Sequence, residues 1–350
     1  AVDPRDEYVA EAIKLASGEA DARADLRIVL TAMHGVGAAM TARVLAEAGF
    51  AKVSLVAAQA EPDPDFPTVP FPNPEEAGAL DMAIEQARAE DADLIIAVDP
   101  DADRCALAVP DPHAEAEWTP LSGDQIGCLL GEFLASRGLR GSLANSIVSS
   151  RLLARIARSH GLEHHTTLTG FKWIARAPQL AFGYEEAIGF CPNPSAARDK
   201  DGIASSVVAA SLFAALKTEG RTAWDELDRL AHAHGLHVTG PLTFRVEEIA
   251  QIATGMARLR AQPPSELAGS PVVEVSDLAE GYQGLPPTDG ILVLTEAGDR
   301  VIARPSGTEP KLKCYLEVIL PAPEGEPVPW EAARERLELI KREFGQIIGL

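Results

Sequence analysis

Cysteine is scarce and dispersed in this 350-residue chain: Cys105, Cys128, Cys191 and Cys314 form no CxxC pair, and no histidine stands at zinc-site spacing from them. A disulfide scaffold and a thiolate metal centre are excluded, and reduced, buried thiols are expected. Long apolar runs are missing too. The apolar part of SSVVAASLFAALK is too short to span a bilayer, and the acidic opening AVDPRDEYVAEAIK has the character of neither a signal nor a transit peptide. A cytoplasmic location is therefore expected. Positive charge is in deficit, with 31 Lys and Arg against 52 Asp and Glu and a formal net charge of -21. Such a field repels a phosphodiester backbone and an anionic lipid surface, so neither nucleic acid nor membrane is an expected partner. Anionic small molecules stay open as ligands, because local clusters of Arg and Lys can bind phosphate against the overall field.

What is present describes a folded protein. Hydrophobic residues make up 46% and charged residues 24%, a globular balance, and the length suggests about two or three domains. LRIVLTAM reads as a buried strand leading through HGVG into an Ala-rich helix; VSLVAA and ADLIIAVDP repeat the strand signal, with the helix EEAGALDMAIEQARA between them. From Ser122 a second alternating block runs through SLANSIVSS, RLLARIARSHG, HHTTLTG and FGYEEAIGF, and then into a long helix that Asp199 or Asp201 is placed to cap. After Val238 the texture changes to short alternating strands (ILVLTE, DRVIARP, KLKCYLEVIL) and a final amphipathic helix. The expected class is α/β: two tandem α/β (mixed-sheet) domains followed by a C-terminal α+β domain.

Three segments carry chemistry. In IIAVDPDADR, Asp99, Asp101 and Asp103 alternate just past a strand; on an extended backbone they share one side. Converging carboxylates without His or thiolate suit Mg2+, and Arg104 beside them is placed to meet a phosphoryl oxygen. In VIARPSGTEPKLK, Arg304, Ser306, Gly307, Thr308 and Lys311 concentrate donors in one interstrand loop, the composition of a phosphate cradle. Between them, Glu185 and Glu186 in FGYEEAIGF offer paired acceptors for vicinal sugar hydroxyls.

DPDADR, GYEEAIG and RPSGTEPK, in this order on such blocks, resemble the α-D-phosphohexomutase family (phosphoglucomutase/phosphomannomutase) over nearly the whole chain. The resemblance implies a metal loop at Asp99, Asp101 and Asp103, a sugar loop at Glu185 and Glu186, and a phosphate loop at 304–311. TGFKWI matches a further family loop, which makes Lys172 an active-site cation, and RDKDGI implies that Arg198 and Lys200 help bind phosphate. His34, Gly35 and Gly37 of HGVG read as structural. The implied division is 1–24 as the exit of a first domain, then 25–121, 122–237 and 238–350. The implied ligands are Mg2+, a sugar phosphate and a sugar bisphosphate, and the implied assembly is a monomer or homodimer.

Two departures limit the resemblance. The family's transferable phosphate sits on a Ser followed by His and Asn, and no such loop occurs here; Ser159-His160 lies at a helix end where Gly161 reads as a cap. The chain is accordingly expected to start near the exit of the first domain, and by itself to bind without turnover. Ala187 stands where glucose-directed members carry Ser, which turns the sugar loop toward the phosphopentomutase-like branch. The alternatives are thus a ribose-directed phosphomutase, a non-catalytic sugar-phosphate binding protein, or a metal phosphatase using the Asp loop alone.

Overall fold

Strands buried on both faces need no polar alternation, and the unbroken apolar runs LRIVLTAM and DLIIAVDP form the centre of the first sheet. The computed structural model describes residues 3–111, 117–306 and 310–349. The chain divides into two compact units, Ala1–Ser146 with Leu153–Leu227 and Ile147–Leu152 with Asp228–Leu350.

The first unit begins with α1 (Arg5–Ala12), α2 (Ala20–Asp25), β1 (Arg27–Thr31), α3 (Ala38–Glu47), β2 (Lys52–Leu55), α4 (Asp81–Glu90), β3 (Leu94–Val98), β4 (Cys105–Pro110) and β5 (Trp118–Pro120). These strands form a sheet in the order β2-β1-β3-β4-β5, parallel from β2 to β3 and antiparallel beyond. Next come α5 (Gly123–Ser136), β6 (Ser142–Ser146), α6 (Leu152–Ser159), β7 (Glu163–Thr167), α7 (Phe171–Ile174), β8 (Leu180–Glu185), β9 (Gly189–Cys191) and α8 (Gly202–Thr218), and then α9 (Ala223–His234), which starts in this unit and continues into the second from Asp228. Their sheet has the order β7-β6-β8-β9, with only the β8–β9 pair antiparallel. Helix α8 is apolar around its circumference, as expected of a helix enclosed by protein. It packs on β3 and β4 of the first sheet and on β9 of the second, so one helix spans both sheets.

Close approach of α5 to β8 depends on missing side chains. Gly123, Gly127 and Gly131 recur every four residues on one helical face, a rise of about 6 Å that matches two residues of strand. A Cβ on Gly127 would lie 2.5 Å from Tyr184 Cγ, one on Gly131 would lie 2.7 Å from Leu153 Cδ1 and 3.4 Å from Phe182 Cε1, and one on Gly123 would collide with the Glu186 carbonyl oxygen. The helix starts at a reciprocal cap: Gln125 N donates to Ser122 Oγ, and Ser122 N donates to the Gln125 side chain.

The second unit contains β10 (Leu236–Arg245), α10 (Ile249–Ala261), β11 (Glu266–Leu267), β12 (Ser270–Asp277), β13 (Ile291–Thr295), β14 (Arg300–Pro305), β15 (Lys311–Leu320) and α11 (Trp330–Ile348). The sheet order is β10-β15-β14-β13-β12-β11, with every pairing antiparallel. Alternation sorts β14 by face: Val301 and Ala303 join the core of α10 and α11, while Ile302 packs with Ile147 and Val148. These mixed sheets and the terminal antiparallel sheet are the fold class expected from the sequence.

Residues 147–152 are secured by a buried carboxylate. Glu317 on β15 accepts from Ser150 Oγ (2.9 Å), Arg151 N (2.8 Å) and Arg151 Nε (2.6 Å), and it meets His237 Nδ1 at 2.9 Å. Arg300 lies 3.3 Å from it and donates to the carbonyls of Ile147 and Ser149. Burial opposes the charge on Glu317, but Arg300, His237 and Arg151 outweigh it and hold the carboxyl well below its usual range. Removing one member of a buried pair strands the other, so Glu317→Gln is expected to cost about 3 kcal/mol. Chemical denaturation of the purified variant checks this, and a loss under about 1 kcal/mol would show that the network is dispensable.

Candidate active site

Asp99 follows the last residue of β3, and its side chain is buried. The backbone does not continue extended, as alternation would require. Ala102 N donates to Asp99 O at 2.9 Å and Ala102 takes φ 60°, so the loop turns back on itself. It is this turn that gathers the carboxylates: oxygens of Asp99, Asp101 and Asp103 all lie within 4.8 Å of one another, the sole such cluster among the described residues. Asp99 accepts from Arg104 N (2.9 Å) and Arg104 Nε (2.6 Å), and Asp103 pairs with Lys200 Nζ at 2.8 Å.

The turn is braced from three directions. Val36 N donates to Pro100 O at 2.9 Å, and Gly35 has no room for a Cβ against Pro100. A Cβ on Gly37 would lie 2.6 Å from that of Ala102, which is the structural role read for HGVG. Gly202 N, at the start of α8, donates to Ala102 O at 3.1 Å, and Cys105 N donates to Ile188 O at 3.0 Å. The last bond ties the acidic loop to the turn between β8 and β9.

Glu185 is the final residue of β8, and Glu186 Oε2 accepts from Ser146 Oγ at 3.0 Å. Burial, reinforced by the neighbouring Glu186, pushes the Glu185 carboxyl up to about 7 against the pull of Lys200 and Arg104. Gly189 leaves the space taken by the Lys200 stem; a Cβ there would also come within 3.0 Å of Glu185 Cγ. Burial works against the Lys200 ammonium, but Asp103 and Glu185 outweigh it and raise its pKa. Burial likewise raises Asp99 despite its bonds to Arg104. Carboxylate oxygens gathered within 4.8 Å, with neither His nor thiolate among them, are the hard donor set that fits a small divalent cation such as magnesium.

Of the residues expected at the site, Asp99, Asp101, Asp103, Arg104, Glu185 and Lys200 gather in the first unit. Lys172 is exposed on α7, 6.0 Å from the centre of the Trp173 ring, and Arg198 is exposed as well. In the second unit Arg304 is near the end of β14, and Ser306 N donates to Lys311 O at 2.8 Å; Gly307 and Thr308 lie outside the described residues. Sequence reasoning missed the Lys200–Asp103 pair. It also missed the Tyr8 hydroxyl, which donates to the α8 cap Asp201 at 2.7 Å. Nothing in the sequence announces the Tyr8 contact, whereas the four-residue spacing of Gly123, Gly127 and Gly131 was a readable sign of close helix packing.

Sequence comparison adds a class to this geometry. Residues 6–112, 122–233 and 242–326 match, in turn, alpha/beta/alpha domain II, alpha/beta/alpha domain III and the C-terminal domain of phosphoglucomutase/phosphomannomutase. The chain belongs to the phosphoglucomutase/phosphomannomutase family. A Haemophilus influenzae protein named as a phosphomannomutase is 44% identical over 314 residues, covering 89% of this chain and 63% of its own length. A Staphylococcus aureus phosphoglucomutase is 35% identical, covering 85% of this chain and 58% of its own. The chain thus spans about three fifths of the curated relatives it matches. A crystal structure described as a Thermus thermophilus phosphomannomutase shares the fold, with a TM-score of 0.71 at 23% identity, covering 98% of this chain and 66% of that one.

Two outcomes follow from the site. Gly123→Ala must displace the Glu186 backbone, so it is expected to cost about 2 kcal/mol of stability, read by chemical denaturation of the variant against the parent. The folded pKa of Glu185 lies above the ordinary 4.5, so the folded state holds the proton more tightly. Its contribution is complete below 4.5 and is lost as pH rises through about 7. Glu185→Gln cannot ionise, and its stability relative to the parent is expected to grow over that window by about 1–2 kcal/mol, a figure reduced for partial exposure. Denaturation midpoints that run parallel across roughly pH 4 to 8 would contradict this.

Proposed function

We propose that the full-length protein is a phosphohexomutase that interconverts sugar 1-phosphates and sugar 6-phosphates through a phosphoserine lying outside residues 1–350. The observation that carries this reading is the acidic trio within 4.8 Å, with Arg104 bonded to Asp99 and Lys200 to Asp103. A sugar hydroxyl forms the new bond to phosphorus as the seryl oxygen departs, and the hydroxyl proton ends on that oxygen. The resulting bisphosphate turns over and returns its other phosphoryl group by the reverse step.

In this reading Asp99, Asp101 and Asp103 hold Mg2+, which when bound neutralises charge on the phosphoryl group. Arg104 and Lys172 bring donors to the charge that develops there, Lys172 from an exposed position free to reach a ligand. Glu185 and Glu186 orient the sugar by accepting from its hydroxyls, a sparse set of contacts compatible with two sugar orientations. Arg198 and Lys200 add positive charge for phosphate, and Arg304, Ser306, Gly307, Thr308 and Lys311 grip the phosphate that is not being transferred. The working division is 25–121, 122–237 and 238–350 for the metal, sugar and phosphate segments.

Ala187 supplies no hydroxyl beside the two glutamates, and this supports a second reading in which ribose or deoxyribose 1-phosphate becomes the 5-phosphate. A coupled assay of the full-length protein with glucose, mannose and ribose 1-phosphates decides between them. Asp101 is exposed and carries little of the fold, so Asp101→Asn is expected to lower turnover at least roughly a hundredfold without changing the melting temperature. Release of inorganic phosphate in place of isomerised sugar would point to a phosphatase, and tight binding without turnover to a sugar-phosphate binding protein.

A further inference from the structure

Lys200 is held more firmly than a long surface cation ordinarily is. Its stem fills the space beside Gly189, and its ammonium lies over the Phe171 ring at 5.8 Å from the centroid. Its backbone is fixed immediately downstream: Asp201 N donates to Phe190 O at 2.9 Å, and Gly202 N donates to Ala102 O at 3.1 Å. The Asp201 side chain takes the Ala204 amide at 2.8 Å and the Tyr8 hydroxyl at 2.7 Å. So anchored, with a side chain 19% exposed, Lys200 presents Nζ to Asp103 Oδ2 at 2.8 Å. One side chain thereby touches the metal loop, the turn after Glu185 and the TGFKWI segment, all within the first unit.

We propose that Lys200 is the internal counter-ion of the acidic trio, a positioning residue that keeps Asp103 in place without metal and holds divalent-cation affinity below what three unopposed carboxylates would give. The proposal rests on the magnesium reading above and adds a role that precedes any contact with phosphate. Its physics is the repulsion between a fixed ammonium and an arriving dication a few ångströms away. Side-chain rearrangement and solvent screening reduce that repulsion without abolishing it. Arg104 compensates Asp99 in the same manner, but its backbone amide also holds that carboxylate, whereas Asp103 forms its ion pairs with Lys200 at 2.8 Å and Arg104 at 3.9 Å. Lys200 is therefore the charge whose removal isolates the effect.

The test uses the metal-free full-length protein and Mg2+ alone, titrated calorimetrically into the parent, Lys200→Met and Lys200→Arg. Lys200→Met keeps the stem and drops the charge; it is expected to bind Mg2+ roughly tenfold tighter, with Lys200→Arg within about threefold of the parent. A second readout is thermal stability: Lys200→Met should melt below the parent in EDTA, and the gap should close in saturating Mg2+. Adding Asp103→Asn should restore the EDTA melting temperature lost by Lys200→Met. Lys200→Gln gives the same comparison should the methionine variant not fold. Equal or weaker Mg2+ binding by the neutral variants, with the same melting loss in EDTA and Mg2+, would overturn the proposal and leave Lys200 as packing alone. If the parent binds no Mg2+, the magnesium reading fails and the proposal with it, a result distinct from parent binding that the neutral variants leave unimproved.

Discussion

Like charges crowded into one turn must be compensated, and this requirement organises the first unit. Carboxylate oxygens of Asp99, Asp101 and Asp103 within 4.8 Å repel strongly where one of them is buried. The fold answers with positive charge from several sources. Arg104 returns along its own loop to Asp99, Lys200 arrives from the segment before α8, and the amide end of α8 contacts the loop backbone at Ala102. Each source lies on a different piece of chain, so the acidic turn is where HGVG, the β8–β9 turn and α8 converge. The polar site and the packing of the two sheets are one construction.

Glycine does the mechanical part of this work. Gly35, Gly37 and Gly202 admit the acidic loop at contact distance, while Gly123 and Gly127 seat the strand that ends in Glu185. Side chains at these positions would push apart surfaces whose separation sets the geometry of the charges. Tyr184 illustrates the link. Its ring rests on Gly127, its hydroxyl donates to Asp124 at 2.8 Å, and its carboxyl-side neighbour is Glu185. Packing of α5 is thereby transmitted to the carboxylates read as sugar contacts.

Much of this could be read from residues in order. The β-branched runs, their crossover helices and the late change to short alternating strands identified the mixed sheets and the terminal antiparallel sheet, because burial on two faces and on one face leave different patterns. The chemical segments stood out by composition. What was hidden had non-local causes. Asp99, Asp101 and Asp103 were expected to converge by alternation on an extended backbone, yet they converge through a left-handed Ala102, a conformation that the sequence around Ala102 does not advertise and that contacts from Gly37 and Gly202 stabilise. The Lys200–Asp103 pair joins residues almost a hundred positions apart, and the Glu317 cluster joins residues 166 apart; neither spacing has a local signature.

The short stretch Ile147–Leu152 belongs to the second unit although both of its neighbours in sequence belong to the first. Its carbonyls and its Arg151 find partners on Arg300 and Glu317, which a ribosome adds about 150 residues later. Until then the segment must wait, tethered at both ends, with its polar groups served by water. No single cut of the polypeptide yields both units whole: a product ending before Asp228 retains the six-residue strap but loses everything that receives it, and one starting there has the receiver with nothing to hold. Dissection of this protein into independently expressed halves therefore calls for transplanting the strap onto the second half and closing the first half across the gap it leaves, and not a simple truncation.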